Sequence, residues 1–179
     1  LPANGTRGGI VIAWDALMVS LFNPHSTQNT LTALVKPGHT SEWCLTCVYG
    51  PQLDHEKEEF LEELVEIRDL HVGPWAIVGD FNLPADASDR GNDMINRRML
   101  GRFRTTLNRL GLKELYLSGR RYAWSNERED ATKEKIDHVF NTNEWDDLHP
   151  ACFLKALGTS VSDHCPMLID LHADLYVGC

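Results

Sequence analysis

Three short stretches of the chain place acids, an amide and imidazoles where they could move protons or hold a cation. Gly79-Asp80-Phe81-Asn82 closes a continuous apolar run, Trp75-Ala76-Ile77-Val78. If extended backbone continues past Gly79, Asp80 and Asn82 point the same way and Phe81 points into the core. A carboxylate beside an amide can orient a water molecule and ease its deprotonation. The same residues also suit a turn, because Asp and Asn are common turn formers. Ser162-Asp163-His164 sets a carboxylate next to the side chain that changes charge near neutral pH. A helix cap or a surface pair would use those residue types as well. Ile136-Asp137-His138-Val139-Phe140 carries an acid inside an apolar strand. A buried aspartate needs a partner, and alternation separates Asp137 from Ile136 and His138. His164 is the predicted partner, and His138, facing the other way, is read as structural.

A fourth stretch, Cys44-Leu45-Thr46-Cys47, has metal-ligand spacing. It lies within Trp43–Tyr49, an alternating segment that reads as a strand, where positions three apart face opposite sides. No second pair follows, so two packed thiols are expected rather than zinc. Five cysteines are an odd number, and Leu1-Pro2-Ala3-Asn4 has neither the basic flank nor the apolar run of a secretory signal. The expectation is reduced thiols and an intracellular location.

These residues need elements to position them. Arg7–Trp14, Leu17–Phe22, Leu31–Lys36 and Trp43–Tyr49 read as strands, with Asn23-Pro24-His25 as a turn. Asp54 is a plausible N-cap for a helix whose apolar stripe is Phe60, Leu61, Leu64, Val65 and Ile67, ended by Gly73-Pro74. Trp75–Gly79 suits a strand covered on both faces. A second helix is expected from near Asp93, with Met99, Phe103, Leu107 and Leu110 on its inner side and Gly111 after its end. Tyr122–Ser125, Lys135–Phe140 and Pro166–Leu171 read as later strands. Strands joined in part by helices indicate a single α/β domain over 1–179, with sheets packed on each other under helices.

The chain has 179 residues, 42% hydrophobic and 24% charged, which suits one globular domain and excludes a fibrous or disordered chain. No apolar run approaches the roughly 20 residues of a membrane span. A net charge of −9 argues against nonspecific polyanion binding, yet the charge is segregated. Asp54–Asp69 holds eight acids against Lys57 and Arg68, while Arg97–Arg121 holds eight bases (Arg97, Arg98, Arg102, Arg104, Arg109, Lys113, Arg120 and Arg121) against Glu114. The second region could meet phosphate, or it could be a solvated, ion-paired helix face.

Together with Val48-Tyr49-Gly50-Pro51-Gln52, the three stretches form an ordered set. The set also includes Gly5-Thr6-Arg7-Gly8-Gly9-Ile10, Arg97-Arg98-Met99 and Arg120-Arg121-Tyr122-Ala123-Trp124-Ser125-Asn126. In this order they resemble the endonuclease/exonuclease/phosphatase superfamily, and more narrowly the endonuclease domain of plant LINE-type non-LTR retrotransposons. The resemblance implies a four-layered α/β sandwich, two packed mixed β-sheets flanked by helices, and metal-assisted phosphodiester hydrolysis. It implies that Asp80 orients or deprotonates the attacking water with help from Asn82. His164 would meet the scissile phosphate, Asp137 would hold that imidazole, and Tyr49 would donate to the phosphate or leaving oxygen. Asp163, with Asp80, would border a Mg²⁺ site that Mn²⁺ could also fill. Ser125, Asn126, Arg97, Arg98, Arg102, Arg120 and Arg121 would contact DNA. A reverse transcriptase domain in a parent polyprotein is an implied partner.

The chain departs from the family pattern at its start. The family carries an Asn and a metal-binding Glu on strands before the segment matching Gly5-Thr6-Arg7, and neither has a counterpart here. The expectation is an N-terminally truncated domain. Three readings follow: a Mg²⁺-dependent DNA endonuclease, a phosphatase acting on a small phosphoester, and an inactive retrotransposon-derived remnant or interaction domain.

Overall fold

A computed structural model of the chain describes residues 1–3, 8–38, 40–89, 96–118, 124–125, 133–158, 162 and 164–171. The first three strands form an antiparallel meander: β1 (Val19–Ser26), β2 (Thr30–Pro37) and β3 (Trp43–Tyr49). Helix α1 (Asp54–Leu70) then crosses over to β4 (Trp75–Asp80), which pairs parallel to β3. Helix α2 (Arg97–Arg109) follows, then the short β5 (Lys113–Glu114) and β6 (Leu117–Ser118). β7 (Trp124–Ser125) and β8 (Lys133–Glu134) pair as a two-stranded sheet. A 3-10 turn at Ala87–Asp89 precedes α2, and β9 (Asp137–Asn141), α3 (Asn143–Leu148), β10 (Phe153–Ala156) and β11 (Met167–Asp170) complete the described elements.

The larger sheet has six strands in the order β1-β2-β3-β4-β9-β5, and a smaller one has the order β11-β10-β6. Alternation along the central strands sends two sets of side chains to opposite faces. One face carries Cys44, Val48, Trp75, Ile77 and Phe140, which pack under the apolar sides of α1 and α2. The other carries Val35, Trp43, Ala76, Val78 and Val139, which meet α3 through Trp145 and the smaller sheet through Leu154, Met167 and Ile169. The fold is therefore a mixed α/β arrangement of two packed sheets with helices, as expected.

The stripe predicted for α1 is buried throughout. Asp54, however, is not its cap: Leu53 holds that position, and the Asp54 carboxylate instead accepts from Lys57 Nζ at 2.9 Å and from Asn96 Nδ2 at 3.0 Å. Helix α2 starts at Arg97, where Asn96 Oδ1 accepts from the Met99 N–H at 3.1 Å; Asp93, near which the start was expected, lies outside the described residues. Gly111 takes φ +67° just past its end.

Two expectations fail in the meander. Asn23-Pro24-His25 is not a turn. β1 runs through it with a register shift between Phe22 and His25, and Asn23 adopts φ 50°. A bulge on an edge strand absorbs Pro24, whose missing N–H would break an interior ladder. Residues 8–14, the described part of the first predicted strand, are not a strand. The Ile10 N–H donates to Leu1 O at 2.9 Å and Ile10 O accepts from the Leu1 ammonium at 2.8 Å, so this segment pairs with the chain start and not with a sheet. Val11 and Trp14 are exposed. The predicted strand Tyr122–Ser125 is described only as β7. The short strands β5, β6 and β8, together with β10 and α3, are additions to the sequence reading.

Cys44 and Cys47 face opposite sides of β3, as its alternation requires. Burial pushes the Cys44 thiol up to about 12 and the Cys47 thiol up to about 11, so both stay protonated. Among the described residues, no helix is long and apolar enough to cross a membrane.

Candidate active site

Three central strands end, or begin, in one row. Tyr49 is the partner of Asp80 in the parallel β3/β4 ladder, and Asp80 is the partner of Asp137 in the antiparallel β4/β9 ladder. Residues in register on adjacent strands point to the same face. Tyr49, Asp80 and Asp137 therefore stand side by side at one end of the sheet, on the face turned toward the smaller sheet.

Two glycines permit this close approach. Gly79 takes φ +134°, and a Cβ there would lie 2.2 Å from Val48 O. A Cβ on Gly50 would lie 2.2 Å from Phe81 O. Any side chain at either position would force β3 and β4 apart just where Tyr49 and Asp80 meet.

The extended geometry expected beyond Gly79 stops at Asp80. Asn82 adopts φ 50°, its N–H donates to Asp80 Oδ1 at 2.8 Å, and its Nδ2 donates to Gly50 O at 2.8 Å. The Gly50 N–H in turn donates to Asp80 O at 2.7 Å. Asn82 therefore ties the ends of β3 and β4 together and fixes the Asp80 carboxylate in a turn. The expectation that Asn82 and Asp80 point the same way as neighbours on a strand is corrected: the turn alternative is the one adopted.

His164 arrives from the segment before β11. Its Nδ1 donates to Asp137 Oδ2 at 2.8 Å, and its backbone N–H donates to Ser162 Oγ at 3.1 Å. With Nδ1 donating, Nε2 is the basic atom of the neutral ring. Ligand atoms of Asp80, Asp137 and His164 all lie within 4.8 Å of one another. Residues 57 and 84 positions apart along the chain from Asp80 thus converge, as the sequence reading required. Burial, with a smaller push from the charge of Asp137, raises Asp80 to about 6 against the opposing pull of the Asn82 N–H. Two carboxylates beside one imidazole leave the cluster short of positive charge. Carboxylate oxygens are the donors a hard divalent ion takes, so the donor set fits a divalent cation of that kind.

The other face of β9 holds a second imidazole. His138 is buried; its Nε2 donates to Leu83 O at 3.0 Å and its Nδ1 lies 2.6 Å from Glu114 Oε1. Lys135 Nζ meets the same Glu114 oxygen at 2.6 Å. Burial pushes Glu114 up, and His138 with Lys135 more than reverses it, leaving the carboxyl below the ordinary glutamate range. The structural reading of His138 holds. Sequence reasoning missed Glu114 and the carbonyls of Gly50 and Leu83. The one available signal was that Glu114 is the sole acid in a basic stretch.

Of the remaining predicted site residues, the three arginines of α2 are not gathered into this row. Arg97, Arg98 and Arg102 belong to α2, which covers the opposite face through Phe103, 5.6 Å from Phe81 between ring centroids. The Arg102 guanidinium pairs with Glu58 on α1. Ser125 lies in β7 of the two-stranded sheet. Asp163, Asn126, Arg120 and Arg121 lie outside the described residues.

Known proteins bear on this geometry. Residues 2–164 match the Endonuclease/Exonuclease/phosphatase family. No curated protein matches the chain. Among solved structures, the endonuclease domain of TRAS1, a telomere-specific non-LTR retrotransposon, superposes with a TM-score of 0.71 at 20% identity, covering 88% of this chain and 70% of that one. The 3′ phosphatase NExo from Neisseria, bound to a product DNA hairpin, gives 0.66 at 19% identity over 85% and 71%. TDP2 from D. rerio, complexed with a single-strand DNA product, gives 0.56 at 15% identity over 84% and 67%. At such identities the structural likeness establishes the fold. The family match spans nearly the whole chain, so the chain belongs to the endonuclease/exonuclease/phosphatase family, whose enzymes hydrolyse phosphoesters with a divalent metal.

Proposed function

We propose that the chain is a divalent-metal-dependent phosphodiesterase that nicks DNA. The observation that carries this reading is the convergence of Asp80 and Asp137, in register on β4 and β9, with His164, whose Nδ1 is bonded to Asp137. Asp137 fixes the His164 tautomer, so that Nε2 can exchange a proton with a phosphate oxygen. Asp80, its carboxylate fixed by the Asn82 N–H, would orient the attacking water and accept its proton. Tyr49 stands next in the row, where its hydroxyl would donate to a phosphate or leaving oxygen. Asp80 and Asp137, with Asp163 beyond the described residues, would hold Mg²⁺ or Mn²⁺, which supplies charge neutralisation at the phosphoryl oxygens. Ser125, Asn126, Arg97, Arg98, Arg102, Arg120 and Arg121 are the residues proposed to touch the DNA backbone.

The LINE-type form of this reading draws on the likeness to the TRAS1 domain. It carries with it a nuclear site of action and a reverse transcriptase as partner domain. Supercoiled plasmid incubated with Mg²⁺ should become nicked, and His164→Ala should abolish that nicking. Plasmid left intact under Mg²⁺ and Mn²⁺ alike would end the proposal. One observation favours a second reading, a phosphomonoesterase: the basic helix α2 covers the sheet face opposite the carboxylates, away from a duplex lying on the site. Turnover of a small phosphomonoester without nicking would select it.

A further inference from the structure

We propose that His138, on the face of β9 opposite the site, is a positioning residue that sets where the Asp80 carboxylate stands relative to Asp137. The inference rests on the hydrolase reading above. β4 ends at Asp80, and three further residues must hold that carboxylate in place. The loop they form is pinned at two points, to Ile136 just before β9 and to His138 within it. The Phe81 N–H donates to Ile136 O at 2.9 Å, and Leu83 O accepts from His138 Nε2 at 3.0 Å. These anchors flank Asp137 in sequence, one residue on either side. The loop that carries Asp80 and the strand that carries Asp137 therefore cannot shift against each other without breaking one of them.

The His138 anchor is itself held. Glu114 Oε1 sits 2.6 Å from Nδ1 and 2.6 Å from Lys135 Nζ. The Lys135 N–H donates to Asp89 O at 2.8 Å. Asp89 Oδ2 accepts from the N–H groups of Ala85 at 3.0 Å and Asp86 at 2.7 Å. These contacts close a circuit from Leu83 through β9 and back to the same loop two residues later. Packing limits the ring's rotation: His138 stacks on Phe140 at 5.2 Å and meets Phe81 edge-on at 5.8 Å. A histidine ring carries a nitrogen on each of two edges, and with a proton on both it can bridge two acceptors while lying flat in a packed core. Hydrogen-bond partners that orient a metal carboxylate from behind commonly change metal affinity by about 10–100-fold when removed.

Two substitutions separate positioning from bulk stability. His138→Gln keeps a donor near the Nε2 position and can still bond Leu83 O. His138→Asn keeps a donor near the Nδ1 position and serves only Glu114. Both give up ring packing, so urea unfolding should show similar losses of stability. Mn²⁺ binding by calorimetry and amide exchange at Asn82 and Gly50 then read the site. The expected result is Mn²⁺ affinity weakened on the order of tenfold in His138→Asn, with faster exchange at both amides. His138→Gln should remain close to the parent in both readouts. Equal affinity and equal exchange in the two variants would overturn the proposal. If the parent chain binds no Mn²⁺ at all, it is the hydrolase reading that fails, and exchange at Asn82 and Gly50 alone decides whether His138 holds the loop.

Discussion

β9 carries two carboxylate–imidazole pairs on consecutive residues, one on each face of the sheet. Asp137 and His164 lie 2.8 Å apart with side chains 11% and 35% exposed; His138 and Glu114 lie 2.6 Å apart with side chains 0% and 29% exposed. The pairs differ in what surrounds them. Around His138 a cation is built in: the Lys135 ammonium pairs with Glu114, the Asp89 carboxylate is also near, and Phe81, Phe103 and Phe140 surround the ring. Around His164 the Asp80 carboxylate joins Asp137 in the same space. A closed set, with its own cation, serves as a fastening, whereas an open set near solvent attracts a cation and leaves an imidazole able to trade protons. The same two functional groups thus take opposite roles according to their third neighbour.

Breaking each pair from its acidic side should give opposite outcomes. Asp137→Ala removes the group that orients His164, and its largest effect should fall on turnover. A loss of about 10³-fold in Mg²⁺-dependent nicking, equivalent to about 4 kcal/mol of barrier, is expected from rate measurements. Stability should change little, since the stranded imidazole is partly hydrated. Glu114→Ala should do the reverse. It leaves the buried His138 ring without its carboxylate and should cost about 2–3 kcal/mol in urea unfolding. If Asp137→Ala proves the more destabilising of the two, the contrast between the faces collapses.

The open set also makes a signed prediction about pH. Asp80 has a folded value of about 6 against 3.8 for a free aspartate side chain. Between those values the folded state holds the proton more tightly than the unfolded chain does. Stability of the metal-free protein should therefore fall as pH rises from about 4 through 6, by about 2–3 kcal/mol in all. Asp80→Asn keeps an oxygen for the Asn82 N–H and removes the charge. It should unfold at higher urea than the parent at pH 7, by up to that amount, and match it near pH 4. A difference that persists at pH 4 would mean that packing, not charge, separates them.

Much of this contrast was legible in the sequence. Asp137 inside an apolar run demanded a partner, and alternation gave His138 to the opposite face. The apolar stripe of α1 and the strand Trp43–Tyr49 were legible because hydrophobic periodicity is a local property. The closure around His138 was not, because Glu114 and Leu83 O reach it only through pairing of distant segments. The course of β1 through Pro24 was hidden for a related reason. Turn chemistry is local, but whether a proline is tolerated depends on being at a sheet edge, which topology decides. The turn at Asn82 was one of two local readings, and the bond that secures it, from its side chain to Gly50 O, is a contact 32 residues away.

The smallest expected effect concerns the helix on the closed face. Arg97 and Arg98 sit in the first turn of α2, exposed, while Arg102 is engaged with Glu58. If DNA bound at the open face reaches round to this turn, each arginine that meets a phosphate adds about 0.9 to the slope of log affinity against log salt. Arg97→Ala with Arg98→Ala should flatten that slope by about 2 and leave the rate on saturating DNA unchanged, since neither residue stands in the carboxylate row. Arg102→Ala should change the slope less, because its charge is already shared with α1. An unaltered slope in the double variant would assign the phosphate contacts to the open face alone. The two faces would then divide the work completely, one holding the fold and the other meeting the substrate.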